Sequence, residues 1–282
     1  MTGTMTRTAR RLRDLAEPIA ACVYFVPEAL EGYQNLGLDD YASGYFGSRG
    51  ASLGRPSGEV VTAAFGVFNP AIVVPAVTKA WSTTDSASLL AAREDGATRA
   101  LRRVLGDVDP SAAVEVLRPV MESLPFAGRA LFSGLRSLAF PADPIGGLWR
   151  VCDYVRERRG DNHIAAWIAA GCDPVEIGLL TELYWGRELA TYIRTRGWSS
   201  EQIEAGIARL EEKGHVKDRS FTDAGREYRR GIEAATDAMD QDLVDALGDR
   251  ADDLCSVLEP WTTAVLDAGG YPANPAQFMN QP

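Results

Sequence analysis

The stretch from Trp198 to Arg230, WSSEQIEAGIARLEEKGHVKDRSFTDAGREYRR, decides the reading of the fold. Ser199 stands where a helix begins, and its hydroxyl can accept from the free N–H groups of the first turn. Gln202, three residues on, completes a capping box. Ile203, Ile207 and Leu210 then recur at helical spacing, the pattern of a helix with one face buried. Gly214 supplies the residue that ends it. His215-Val216 reads as a short strand and Lys217-Asp218-Arg219-Ser220 as the tip of a ribbon. Thr222 reads as the cap of the next helix, opening at Asp223.

This run resembles the recognition helix and wing of MarR-type regulators, with Arg209 to Gly214 closing the recognition helix and Phe221 to Arg226 opening the helix after the wing. The whole chain also resembles a family of actinobacterial proteins known as helix-turn-helix proteins. The segments that carry this are Glu17-Pro18 through Tyr24-Phe25-Val26-Pro27-Glu28, Gly44-Tyr45-Phe46-Gly47-Ser48-Arg49, Phe65 through Phe68-Asn69-Pro70, and Arg159-Gly160-Asp161-Asn162-His163. The resemblance implies a helical fold across both halves and brings no activity with it.

Outward from the winged segment the chain reads as helix, and three anchors recur in order. Arg49-Gly50 returns as Arg159-Gly160, the Trp81-Ser82 helix start as Trp198-Ser199, and Val116-Leu117-Arg118-Pro119 as Val257-Leu258-Glu259-Pro260. The expected architecture is mostly α, with two tandem degenerate winged-helix-like repeats. The first spans residues 1–140 without a wing. The second spans 141–282, with a small β-wing and an irregular tail from Tyr271-Pro272 onward. The Pro-bearing link 140–144 divides them, ahead of a helix from Ile145. Ser82 is expected to cap a helix as Ser199 does.

The 282 residues carry 29 Lys+Arg against 39 Asp+Glu, a net charge of -10. This weighs against a general nucleic-acid binder and against docking on an anionic membrane. The exposed positions of the recognition helix, Glu201, Gln202, Glu204, Ala205, Ala208, Arg209 and Glu212, hold three acids and one base, so DNA is possible as a partner but disfavoured. Cys22, Cys152, Cys172 and Cys255 form no C-x-x-C pair and read as reduced buried thiols; with only two histidines no metal site is expected. The N-terminal arginines lead into no apolar run, so the chain reads as cytoplasmic. Val60 to Thr78 is uncharged, but Asn69, Pro70 and Pro75 break it into a buried pair of helices rather than a membrane span.

Two fused halves with apolar inner faces predict a crevice for a small organic ligand. Its candidate lining is Tyr24, Tyr45, Arg49, Phe65, Phe68, Asn69, Asn162 and Trp167. Tyr24, Phe65 and Phe68 also fit as core aromatics, and Asn69 as a helix cap. The Arg49 fork suits either a ligand carboxylate or a carboxylate of the chain itself. His163, with Asp161 as its orienting partner, is the candidate catalytic residue, as a general base or an axial metal or haem ligand; Asp161 and Asn162 also fit as caps of a helix starting at His163. Arg156-Glu157-Arg158-Arg159 reads as a solvated helix end. Asp237, Asp240, Asp242 and Asp245 read as an exposed acidic helix, spaced wrongly for a calcium loop. The sequence specifies no cofactor, leaves open whether a reaction follows binding, and suits a monomer. The leading reading is a winged-helix-like small-molecule binder, and the alternative a MarR-like ligand-responsive regulator of transcription.

Overall fold

The structure, a computed structural model, describes residues 2–271, with side chains from residue 9 onward. The expectation for the tail beyond Tyr271 lies outside the described residues. The chain is mostly helical with one small antiparallel ribbon. In order it forms α1 (Thr2–Ala21), α2 (Pro27–Asn35), α3 (Tyr41–Gly50), α4 (Gly58–Phe65), α5 (Pro70–Thr83), α6 (Ser86–Leu105), α7 (Ser111–Ser123) and α8 (Ala130–Arg136). There follow α9 (Pro144–Ala169), α10 (Pro174–Tyr184), a 3-10 helix at Tyr192–Arg196 and α11 (Ser200–Glu212). The ribbon of β1 (Val216–Lys217) and β2 (Ser220–Phe221) leads into α12 (Asp223–Met239), α13 (Gln241–Leu247) and α14 (Arg250–Asp267).

The helix starts follow their local chemistry. Asn69 caps α5 through Ala71 N, with Pro70 in the first turn where no amide donor is missed. Asp173 with Glu176 and Ser199 with Gln202 form the capping boxes of α10 and α11, and Thr222 caps α12. Asp218 and Arg219, at φ 49° and 59°, make the two-residue left-handed turn that matches the twist of a short hairpin. The Val60–Thr78 stretch folds as α4 and α5, with Pro75 inside α5. Among the described residues no single helix is long and apolar enough to cross a membrane.

Two hydrophobic cores result. The larger draws on residues from Leu12 to Val155 and again from Leu243 to Val265, so α13 and α14 return to pack beside α1, α6 and α7. The smaller runs from Ala166 to Ile232 and is built on α10, the 3-10 helix, α11, the ribbon and α12. α9 belongs to both, and 18 of its 26 residues are buried. At ~1.5 Å per residue it is about 39 Å long, enough to pass through the first core and end in the second. All four cysteines are free and buried.

The turn between the 3-10 helix and α11 is fastened to the loop between α4 and α5. Trp198 donates its indole N–H to Val67 O at 3.0 Å, Asn69 N donates to Arg196 O at 2.9 Å, and Asn69 Nδ2 donates to Gly197 O at 3.0 Å. Gly197 is left-handed at φ 79°, and a Cβ there would come within 2.7 Å of Ile72. The 3-10 helix is itself held by buried Glu182, whose carboxylate accepts from the amides of Ala190, Thr191 and Ile193.

Four local expectations are corrected. Ser82 lies inside α5 and donates to Lys79 O, while Asp85 caps α6; in α5 the helix simply continues past Trp81. No helix starts at His163, because α9 continues unbroken through it. The Arg156–Arg159 run is not a solvated end but sits mid-helix with its charges largely buried. Asp237 and Asp240 are buried too, since they receive the guanidinium groups of Arg158 and Arg159. Opposite charges far apart in sequence meet across α9 and α12, and burial becomes tolerable once each is paired.

Candidate functional site: an arginine-lined cleft between the cores

A cavity of about 250 Å³ lies where the two cores meet. The first core presents Arg13 and Glu17 from α1, Arg49 from α3, and Arg156, Glu157, Arg159 and His163 from α9. The second presents Ile177 and Thr181 from α10, Trp185, Tyr192 and Arg196 after it, and Arg229 and Glu233 from α12. Six arginines therefore face three glutamates in a chain of net charge -10.

The floor is a buried ion pair. Arg49 grips Glu157 with its fork, Nε to Oε1 and Nη2 to Oε2, each at 2.7 Å, and Arg156 adds Nη1 to Oε1 at 2.6 Å. Burial works against the Glu157 charge, but Arg49 and Arg156 overcome it and hold its pKa down at about 2. The Arg49 guanidinium lies 4.0 Å above the Phe65 ring, and its Nη1 donates to Tyr45 Oη at 3.3 Å. Beneath it Tyr24, Tyr45, Phe65 and Phe68 form one aromatic cluster, with Tyr45 centroids 4.9 Å from Tyr24 and 5.8 Å from Phe68. Arg196 is stacked between Phe68 and Tyr192 at 4.5 and 4.3 Å, and burial with nearby Arg49 lowers its pKa to about 10 despite the Tyr45 and Tyr41 hydroxyls.

The far wall comes from α12. Arg229 donates Nη1 to Glu233 Oε1 at 2.7 Å and stacks 4.6 Å from the Tyr184 ring. The other Glu233 oxygen accepts from Arg159 Nη2 at 3.2 Å. Burial opposes the Glu233 charge and Arg229 outweighs it, so its pKa falls to about 2. His163 Nδ1 lies 3.1 Å from Thr236 Oγ1. Thr236 Oγ1 also lies 2.9 Å from Ile232 O, which only accepts; with the hydroxyl proton on that carbonyl, Nδ1 donates to Thr236 and Nε2 carries the lone pair. Burial and the charge of Arg229 push the imidazole pKa down to about 4 against the pull of Glu233, so the ring is neutral at neutral pH.

Of the residues singled out from sequence, Arg49 and His163 line the cleft, and Tyr24, Tyr45, Phe65 and Phe68 lie under it. Asn69 joins the α11 turn to α5 instead. Asn162 is engaged by Arg129 at 2.7 Å and by Asp240 at 2.7 Å. Trp167 is buried in the second core, against Gly66. Asp161 does not orient His163: two positions apart on one helix they face different sides. Its Oδ2 instead accepts from Phe132 N at 3.0 Å in the first turn of α8, and burial raises its pKa to about 7. Among the described residues no group of three His, Cys, Asp or Glu side chains is placed to hold a metal ion.

On the outer surface, the exposed face of α11 presents Glu201, Glu204, Glu211 and Glu212. Arg209 pairs with Asp173 at 2.6 Å, and Arg219 at the ribbon tip pairs with Glu204 at 3.1 Å. The 3-10 helix, the tight turn at Gly197, α11 and the ribbon follow one another in this part of the chain, and a helix-turn-helix family matches the chain over residues 9–272. The chain belongs to that helix-turn-helix family. No curated protein and no solved structure matches it. Family membership fits DNA as a partner of this helix-turn-helix protein, and the match runs through both cores, taking in every residue of the cleft.

Proposed function

We propose that this helix-turn-helix protein binds a small organic anion in the cleft between its two cores. The observation that carries the reading is the charge of the lining, six arginines against three glutamates in an acidic chain. Part of that charge is met from behind the wall, by Asp237 and Asp240 at Arg159 and by Asp14 at Arg13, and the guanidinium excess facing the cavity favours an anion over a cation. Aromatic walls from Tyr184, Trp185 and Tyr192 suit a flat apolar body. In this reading His163 touches the ligand. Arg49 shapes the floor, Tyr24, Tyr45, Phe65 and Phe68 support it, and Asn69, Asp161, Asn162 and Trp167 brace the helices around it. With a pKa of about 4, His163 acts as a hydrogen-bond acceptor rather than a general base. Thermal-shift assays with monocyclic carboxylates and the matching amines test the proposal: carboxylates should raise the melting temperature and amines should not.

The second reading is a MarR-like regulator whose DNA affinity responds to that ligand. Family membership and the intact wing favour it. The cleft wall includes Tyr192 and Arg196 of the short helix before α11, so an occupant would bear directly on the helix-turn-helix. The acidic face of α11 is the argument for ranking it second. A tandem origin of residues 1–140 and 141–282 belongs to the same proposal. It is supported by Pro119 and Pro260, each inside a helix, and superposing the two halves tests it.

A further inference from the structure

The cleft is rich in donors and poor in acceptors. Both oxygens of Glu157 and both of Glu233 are engaged by guanidinium groups. His163 faces the cavity with Nδ1 committed to Thr236, and its Nε2 makes no hydrogen bond among the described residues. Next to it Arg229, only 3% exposed, uses Nη1 on Glu233, while its Nη2 makes no hydrogen bond among the described residues. A bare acceptor thus stands beside an uncommitted cationic donor, within a ring of arginines. A simple carboxylate would answer the arginines and leave Nε2 desolvated without a partner, which is costly.

We propose that the anion taken by this cleft carries a hydroxyl beside its carboxylate, that His163 Nε2 accepts from that hydroxyl, and that the ligand class is the aromatic α-hydroxy acids. The inference rests on the reading of the cleft as an organic-anion site. The donor has to be neutral, because an ammonium group in the same place would meet six arginines. The aromatic part is set by Tyr184, Trp185 and Tyr192 in the lining, to which Ile177 and Val67 add apolar surface. The size follows from the volume: about 250 Å³ lies just below the range of ordinary small-molecule pockets, ~300–1,000 Å³, and holds one ring with a short side chain.

The test uses the intact chain and two probes that differ by one hydroxyl, 3-phenyllactate and 3-phenylpropionate, titrated calorimetrically. Phenyllactate should bind tighter by about fivefold or more, the value of one hydrogen bond to a desolvated acceptor. His163→Phe should abolish that preference while still binding phenylpropionate. Equal affinities in the wild type, or a preference that survives His163→Phe, overturn the inference and leave the anion site standing. Binding of neither acid at millimolar concentration overturns both. Should His163→Phe fail to fold, long-range ¹H–¹⁵N spectra of the wild type decide: a protonated Nδ1 with bare Nε2 is expected, and a protonated Nε2 overturns the inference.

Discussion

The side-chain amide of Asn69 donates to Oε1 of Gln202 at 3.2 Å, joining the cap of α5 in the first core to the capping box of α11 in the second. The same Gln202 oxygen accepts from Ser199 N at 3.0 Å, so one side chain closes the first turn of the outer helix and ties it to the inner core. The placement of α11 is therefore fixed from the loop that precedes α5.

Asn69→Ala removes a helix cap and two hydrogen bonds between the cores, so a loss of about 2–3 kcal/mol is expected in urea unfolding. Asn69→Asp keeps the cap but turns a carboxylate oxygen toward the Gly197 and Gln202 oxygens, so it should lose at least as much. A loss below about 1 kcal/mol in Asn69→Asp would show that the bonds to Gly197 and Gln202 contribute nothing.

Glu157→Gln leaves Arg49 and Arg156 beside a neutral amide in a buried site. Removing one member of a buried ion pair typically costs about 3–5 kcal/mol, and a loss of that order is expected. Equilibrium denaturation checks it, and a cost below about 1 kcal/mol, the level of an exposed pair, would contradict the buried floor described for the cleft.

The pH dependence of stability has two opposed contributions. His163 titrates at about 4 in the folded protein against an ordinary 6.5. Between those values only the unfolded chain holds that proton, so stability rises with pH there. Asp161 is displaced upward, from 3.8 to about 7. Over that window the folded chain holds the proton and stability falls as pH rises. The wild type should therefore show a shallow profile between about pH 4 and 6.5, Asp161→Asn a rising one and His163→Gln a falling one. Below about pH 4.5 stability should drop steadily, because Glu157 and Glu233 are both held at about 2. Urea midpoints across this range test all three profiles.

Duplex DNA should bind weakly at physiological salt, since Glu201, Glu204, Glu211 and Glu212 face outward from α11 and Arg209 and Arg219 are paired. A gel shift at nanomolar protein, with a steep salt dependence and a palindromic site, would promote the regulator reading over the ligand binder.

The winged segment was legible in sequence because its signals are local. Ser199, Gln202, Gly214 and Thr222 act on residues within four positions of themselves, and each does in the structure what its spacing implied. The cleft was half legible. Arg49 and His163 stood out as polar residues in apolar runs and do line it. Arg156, Glu157, Arg159, Arg229 and Glu233 did not, because a charged run on a helix looks solvated until its partners are known. Those partners lie up to 139 residues away, as for Arg156 and Glu17, and no local pattern announces them. The pairing of Asp161 with His163 failed for the converse reason: sequence neighbours on an unbroken helix are not spatial neighbours.

The most direct test of the cleft as an organic-anion site is a ¹H–¹⁵N titration of the intact chain with 3-phenyllactate, followed through the indole N–H resonances of its six tryptophans. Trp185 lies in the cavity wall, while Trp81 and Trp261 pack against the first core outside the cavity lining. Saturable movement of the Trp185 resonance, assigned by its disappearance in Trp185→Phe, with Trp81 and Trp261 unmoved, is the predicted result. A Trp185 resonance that stays fixed while phenyllactate is added to excess would contradict the site.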